Sequence, residues 1–319
     1  MRLKIGELLR EMAHWSDATR ELETALDEAE SLGDDDSIAS ALSNLAVLFY
    51  VTNHLKEAEL KIRRAIAIDE KIFGAEHPKV ASDLNTMAIL LAHTNQFENA
   101  DSMMRRALAI VATSLGADHP RVAPHLSNLA LLLQKTNRVE EAEQLMRRGL
   151  AIEERSLGAE HPNVATRLNN LALLLQDTNR LKEAEPLLRR ALAIDEHLLC
   201  ADHPNVATGL NNLAMLLRDT NLQEEAKPLM RRALAIFEKS FGAEHPQVAT
   251  CLNNLALLLH DTNRLEEAEQ LMRRAIEIRE KHLAKDHPWT LTSRELHSKM
   301  LEELKHQPKK PSKKKNKSN

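Results

Sequence analysis

Six histidines, His77, His119, His161, His203, His245 and His287, recur at intervals of 42 residues, and each is followed by proline. Imidazole binds metals, so an array of metal centres is the first chemistry to weigh. Metal ligands converge to ~2 Å from one ion, whereas copies of a helical unit lie at least a helix diameter, ~10 Å, apart. Histidines from successive copies cannot meet at one ion, and no metal ligand set is assigned. The two cysteines, Cys200 and Cys251, occupy non-equivalent places in neighbouring copies. They are too few for a disulfide framework and lack zinc-type spacing, and they read as incidental thiols of a reducing compartment. No Gly-rich phosphate loop, Ser/His/Asp set or paired-carboxylate pocket stands out. Accordingly no catalytic residue, cofactor or small-molecule substrate is assigned, and enzymatic activity is not expected.

Carboxamides form the second recurring polar set: Asn44, Asn85, Asn128, Asn169, Asn170, Asn211, Asn212, Asn253 and Asn254. An amide side chain both donates and accepts, so such a ladder can bond the backbone of an extended peptide whatever its side chains. It can equally bond neighbouring helices and lock a stack. Each copy also carries an arginine pair: 63/64, 105/106, 147/148, 189/190, 231/232 and 273/274. Acids stand four residues before the first arginine, as Glu59, Asp101, Glu143, Glu185 and Glu269, with Lys227 in that place before Arg231. That spacing gives ordinary intrahelical ion pairs, so the ridge reads as a solvated charged face rather than an anion site.

The elements that must carry these residues follow from the period. A unit copied without drift in length stacks on itself and makes a solenoid. In the copy at 162–203, Ala165, Leu168, Leu171, Ala172 and Leu175 give one apolar stripe at helical spacing, and Leu181, Ala184, Leu188, Ala191, Leu192 and Ile194 give another. Alanines 172, 184 and 191 let the two helices approach closely. Asn53, Asn95, Asn137, Asn179, Asn221 and Asn263 close the first helices in left-handed conformation. Gly74, Gly116, Gly158 and Gly242 are expected to do the same for the second, with Cys200 and Ala284 as costlier replacements. Each proline opens a first helix, while Pro186 and Pro228 are expected to sit harmlessly in the first turns of second helices.

The whole chain is read as all-α: a short hairpin over 1–35, six copies over 36–287, a capping helix with a polar outer face over 288–304, and a disordered lysine-rich tail over 305–319. The tail holds seven lysines and no acid, leaving 36 basic and 47 acidic residues in 1–304, a net of -11. Nucleic acid or an anionic surface is therefore expected to bind through the tail or not at all. No apolar run approaches the ~18 residues of a membrane span, and the N-terminus lacks a secretory pattern. A cytoplasmic location is expected.

The leucine and alanine positions Leu168, Leu171, Ala172, Leu175, Ala184, Leu188 and Ala191 follow the tetratricopeptide pattern. More specifically, LNNLALLL (168–175), EAEPLLRRALAI (183–194) and GAEHPQVAT (242–250) resemble the 42-residue tetratricopeptides of kinesin light chains, over about 36–288. The resemblance implies a right-handed superhelix whose first helices line a concave groove for a protein or peptide ligand. It places Asp83, His93, His125, Lys135, Arg167, Asp177, Arg218, Asp219, His260 and Asp261 on that face, with Arg167 and Arg218 joining the asparagines as candidate groove residues. The stretch before the first copy is too short for the heptad coiled coil of that family. A non-catalytic scaffold is expected; a kinesin-light-chain-like cargo adaptor, or a regulatory or sensor module acting with a separate effector, stands as the alternative.

Overall fold

Helix starts and stops set the architecture. The computed structural model describes residues 2–4, 10, 14–283 and 287–306, and structural statements concern these. From residue 14 onward they hold fourteen helices: α1 (Trp15–Leu32), α2 (Asp35–Val51), α3 (Leu55–Phe73), α4 (Pro78–His93), α5 (Phe97–Leu115), α6 (Val122–Lys135), α7 (Val139–Leu157), α8 (Pro162–Asp177), α9 (Leu181–Leu198), α10 (Pro204–Asp219), α11 (Gln223–Phe241), α12 (Pro246–Asp261), α13 (Leu265–His282) and α14 (Pro288–His306). The hairpin expected over 1–35 is described only in part, and the tail beyond 306 lies outside the described residues.

The recurrent histidines cap helices. His161 sits in extended conformation just before α8, and its Nδ1 accepts the N–H of Asn163 at 3.1 Å. The same bond recurs from Lys79, Arg121, Asn205, Gln247 and Trp289 to the preceding histidine, at 3.1–3.2 Å. The first turn of a helix has N–H groups without intrahelical partners; proline removes one and the imidazole satisfies another. In α6 the helix proper begins only at Val122, because Pro124 lacks the N–H that would close the turn on Pro120.

At the other end all six asparagines are left-handed, with φ between 57° and 66°. The N–H of the next residue reaches back to the carbonyl five earlier, as Arg180 does to Leu175 at 2.8 Å, a Schellman closure. The glycines differ from expectation. Gly158 has φ 92° and ψ 153°, a region essentially confined to glycine and outside the left-handed helical well. Where cysteine replaces glycine the chain avoids that region: α9 ends at Leu198 and Leu199 is extended, at φ -113° and ψ 162°. The expected strain at Cys200 is thus absent, and Ala284 lies outside the described residues. Pro186 is the sixth residue of α9 rather than in its first turn. The carbonyl it leaves without a helical partner belongs to Lys182, an exposed residue, where water can satisfy it.

Each helix packs on the next, and contacts between alternate helices join α2, α4, α6, α8, α10 and α12 to one another. No comparable contact joins the second helices, so the first helices form the short, inner side of the curve. Ala172, Ala184 and Ala191 are fully buried between the layers. On the outer side the first arginine of a pair bonds its own helix, as Arg147 does Glu143 at 2.7 Å. The second reaches the preceding copy: Arg190 bonds Glu154 at 2.7 Å and the Ala159 carbonyl at 3.1 Å. Arg231, with Lys227 in the acid's place, forms no intrahelical pair. At the end of the stack, α14 has Arg294, His297 and Ser298 where α12 has Leu252, Leu255 and Ala256. Its outer face is nevertheless not wholly polar: Trp289, Leu291 and Leu301 are exposed.

If the imidazole is a cap, His161→Ala lowers stability by about 1 kcal/mol and His161→Asp largely retains it. Urea midpoints of both variants check this; equal losses would show that the ring matters for packing alone.

Candidate functional site

The inner face is built by two rows of contacts between successive first helices. The outer row joins a residue to the one 43 places on. It runs Gln134 to Asp177, Gln176 to Asp219, Arg218 to Asp261 and His260 to Glu303, the last at 2.7 Å. Tyr50 and His93 meet edge to face at the same register, with ring centres 5.5 Å apart. The row breaks once, where Ala92 is too short to reach Lys135. A cavity of about 580 Å³ opens there, lined by Tyr50, Ile89, Ala92, Leu131, Leu132 and Lys135 among others.

The inner row lies deeper, where a second helix meets the first helices on either side. There three positions converge in every copy. Arg167 of α8 donates from Nε to Glu153 of α7 at 3.1 Å and from Nη1 to Ser127 of α6 at 2.8 Å. The guanidinium is 11% exposed and the carboxylate 1%. Elsewhere the same three places carry other chemistry. Asp83 accepts from Ser43 at 2.7 Å and sits beside Asp69, and both acids are buried, with Asp69 Oδ1 and Asp83 Oδ2 lacking partners. Burial, followed by the charge of Asp69, pushes the Asp83 carboxyl up to about 7, against the bond from Ser43. His125 lies opposite Val111, and burial lowers its pKa. Cys251 lies opposite Phe237 and its thiol is pushed up to about 12 by burial. Arg279 reverses the polarity of the Arg167 arrangement, bonding Ser293 and the Trp289 carbonyl.

Within this frame the candidate residues divide. Asn128 donates to Asn85 at 3.1 Å and Asn254 to Asn211 at 3.0 Å, while Asn211 donates to Asn212 at 3.4 Å and Asn253 accepts from Ser293 at 3.0 Å. These carboxamides are spent on the stack. Asn169 and Asn170 make no side-chain hydrogen bond among the described residues, and Asn169 Oδ1 is buried. Arg167 and Arg218 are both held by intramolecular acids. Asp83 faces the junction rather than open groove. Asp69, Glu153 and Asp195, the buried acids behind the inner row, escaped the sequence reading. Their signal was an acid at the end of Ala-Leu-Ala-Ile-x (Ala-Ile-Ala-Ile-x at Asp69, Gly-Leu-Ala-Ile-x at Glu153), where the apolar stripe asks for a core residue.

Among the described residues, no cluster of His, Cys, Asp and Glu could hold a metal ion, and no helix is long and apolar enough to cross a membrane. Profiles described as tetratricopeptide repeat match residues 38–79, 81–154, 121–197 and 205–281. The chain belongs to the tetratricopeptide repeat family, as an all-α solenoid of antiparallel helix pairs. Among solved structures it is similar to a putative kinesin light chain with nearly identical TPR-like repeats from Podosopora anserina, at 26% identity and TM-score 0.51, over 63% of this chain and 95% of that one. It is also similar to BtubC (BKLC) from P. vanneervenii, at 25% identity and TM-score 0.59, over 71% of this chain and 91% of that one. The apo form of RapI matches at 16% identity and TM-score 0.62, over 88% and 97%, a likeness of fold alone. A search of curated proteins returned no significant match.

The Asp69–Asp83 junction makes stability pH-dependent. An acid whose folded pKa lies above its unfolded value costs nothing when protonated in both states. It destabilises increasingly as pH rises from about 4 towards about 7, and the loss is complete above that. Asp83→Asn is expected to flatten the decline and to stabilise at pH 8, on the order of a few kcal/mol. Urea midpoints at pH 5 and pH 8 test this, and parallel pH dependence in both proteins would refute the assignment.

Proposed function

We propose that the chain is a scaffold, without chemistry of its own, that holds an extended segment of another protein along its inner face. The observation that carries this reading is the unspent pair Asn169 and Asn170, flanked on the same face by Asn212 and by exposed Leu173. Buried polar atoms are normally hydrogen-bonded. The half-buried Asn170 carboxamide, without an intramolecular partner among the described residues, can accept from a peptide N–H and donate to a peptide carbonyl. The apolar cavity beside Lys135 adds room for a side chain over the preceding copies. The reading as a kinesin-light-chain-like cargo adaptor is favoured over the sensor alternative by the similarity to BtubC and the putative kinesin light chain. A cytoplasmic location and contact of anionic surfaces with residues 305–319 belong to the same proposal.

Replacing Asn169 and Asn170 together by Ala is expected to weaken capture of a bound segment about tenfold or more, since hydrogen bonds of ~1 kcal/mol each are lost. Helicity by circular dichroism is expected to be unchanged. Partner capture by full-length protein, compared with the variant, decides the matter; undiminished capture removes the asparagines from the binding surface.

A further inference from the structure

Successive copies of the inner row allow one junction to be read against the next. Arg167 is held by Glu153 and Ser127. One copy further on, these three places are Gly209, Asp195 and Asn169. An acid and a neutral acceptor stand in both copies, but glycine occupies the place of the arginine. Asp195 is 4% exposed and makes no ion pair or side-chain hydrogen bond among the described residues. Burial raises its pKa, opposed only by the charge of His203. Asn169 Oδ1 is buried without a partner. Between them a niche of about 260 Å³ opens on the inner face, lined by Asn169, Asn170, Asp195, Thr208 and Asn212 among others.

We propose that this niche is a vacated arginine slot, which takes the guanidinium of an arginine side chain supplied by the segment bound in the groove. This rests on the groove reading above and specifies its ligand. The slot's chemistry is set by its neighbour: an acid behind and a neutral oxygen beside, the pair that Arg167 satisfies from within the chain. A guanidinium offers five donors in a planar fork, enough for Asp195, Asn169 Oδ1 and a further acceptor at once. A lysine ammonium enters with three donors and a stronger hydration shell, so arginine is preferred. Apolar side chains leave Asn169 Oδ1 unsatisfied and cover the Asp195 carboxylate without a partner, and are rejected.

The test uses full-length protein labelled for NMR and two probes, N-acetyl-arginine methylamide and its uncharged citrulline counterpart. The arginine probe is expected to shift the side-chain amides of Asn169, Asn170 and Asn212, and the citrulline probe to leave them in place. Asp195→Asn is expected to weaken the arginine response about tenfold or more, the scale of one charge-assisted hydrogen bond. Gly209→Arg refills the slot from within and is expected to abolish the response. A Cβ at 209 meets the tip of Leu192 at 3.3 Å, so a shift of that side chain is required; should this variant not fold, Asp195→Asn decides alone. Equal responses to both probes, or an undiminished response in Asp195→Asn, overturn the slot. Peptides selected on the intact protein separate the two proposals. Peptides that bind against Asn170 with no enrichment in arginine refute the slot and leave the groove standing. Absence of any selected peptide, with the arginine probe still shifting Asn169, refutes the groove and leaves the slot.

Discussion

Everything in this molecule depends on the phase at which each first helix begins. The proline ring and the imidazole Nδ1 settle two of the first-turn N–H groups together, and the left-handed asparagine terminates the helix sixteen residues or so later. Between those stops the number of residues per copy does not vary, so a side chain's partner on the next first helix is found 40 or 43 residues along the chain. Were one copy to gain a residue, each contact across that junction would move to another face of the helix. The regularity of the caps is thus what allows polar rows to run across helices that share no backbone hydrogen bond.

Regular spacing leaves the content of each junction free to differ. A stack of this kind transmits interactions only to nearest neighbours, so an unfavourable junction is not amplified elsewhere. The buried acid pair Asp69 and Asp83 illustrates one extreme and the salt-bridged Glu153 and Arg167 the other. Breaking a buried pair by removing one partner is costly because the remaining charge stays desolvated. Asp195 opposite Gly209 is such a half-pair, retained in a stack whose alanine-lined layers could have closed it with an apolar residue, as Phe237 and Cys251 do one copy later.

Much of the fold was legible in the sequence because caps and stripes are local. The asparagine closures and proline starts follow from which residues tolerate which backbone angles. The glycine closures were misjudged because glycine alone reaches two distinct regions at positive φ, and residue type does not say which is used. The site was harder to read. That Asn169 and Asn170 stay unbonded while Asn85 and Asn128 bond each other depends on side chains 40 or more residues away. Identical Asn-Asn dipeptides at 169–170 and 211–212 therefore have different fates. Asp195 was hidden for a related reason: its meaning lies in the absence of a side chain at 209.

The contrast between Arg167 and Gly209 has a genetic side. Arginine and glycine codons can differ by one base, and duplication of a 42-residue unit delivers a second copy of an interior ion pair already made to fit. On the proposal above, a difference at one position separates a structural crosslink from a receptor for the same chemical group, because an acid and a neutral oxygen stand in both copies, as Glu153 and Ser127 and as Asp195 and Asn169. Neighbouring copies then differ in whether one mould is filled from within, as by Arg167, or left open, as beside Asp195 and Asn169.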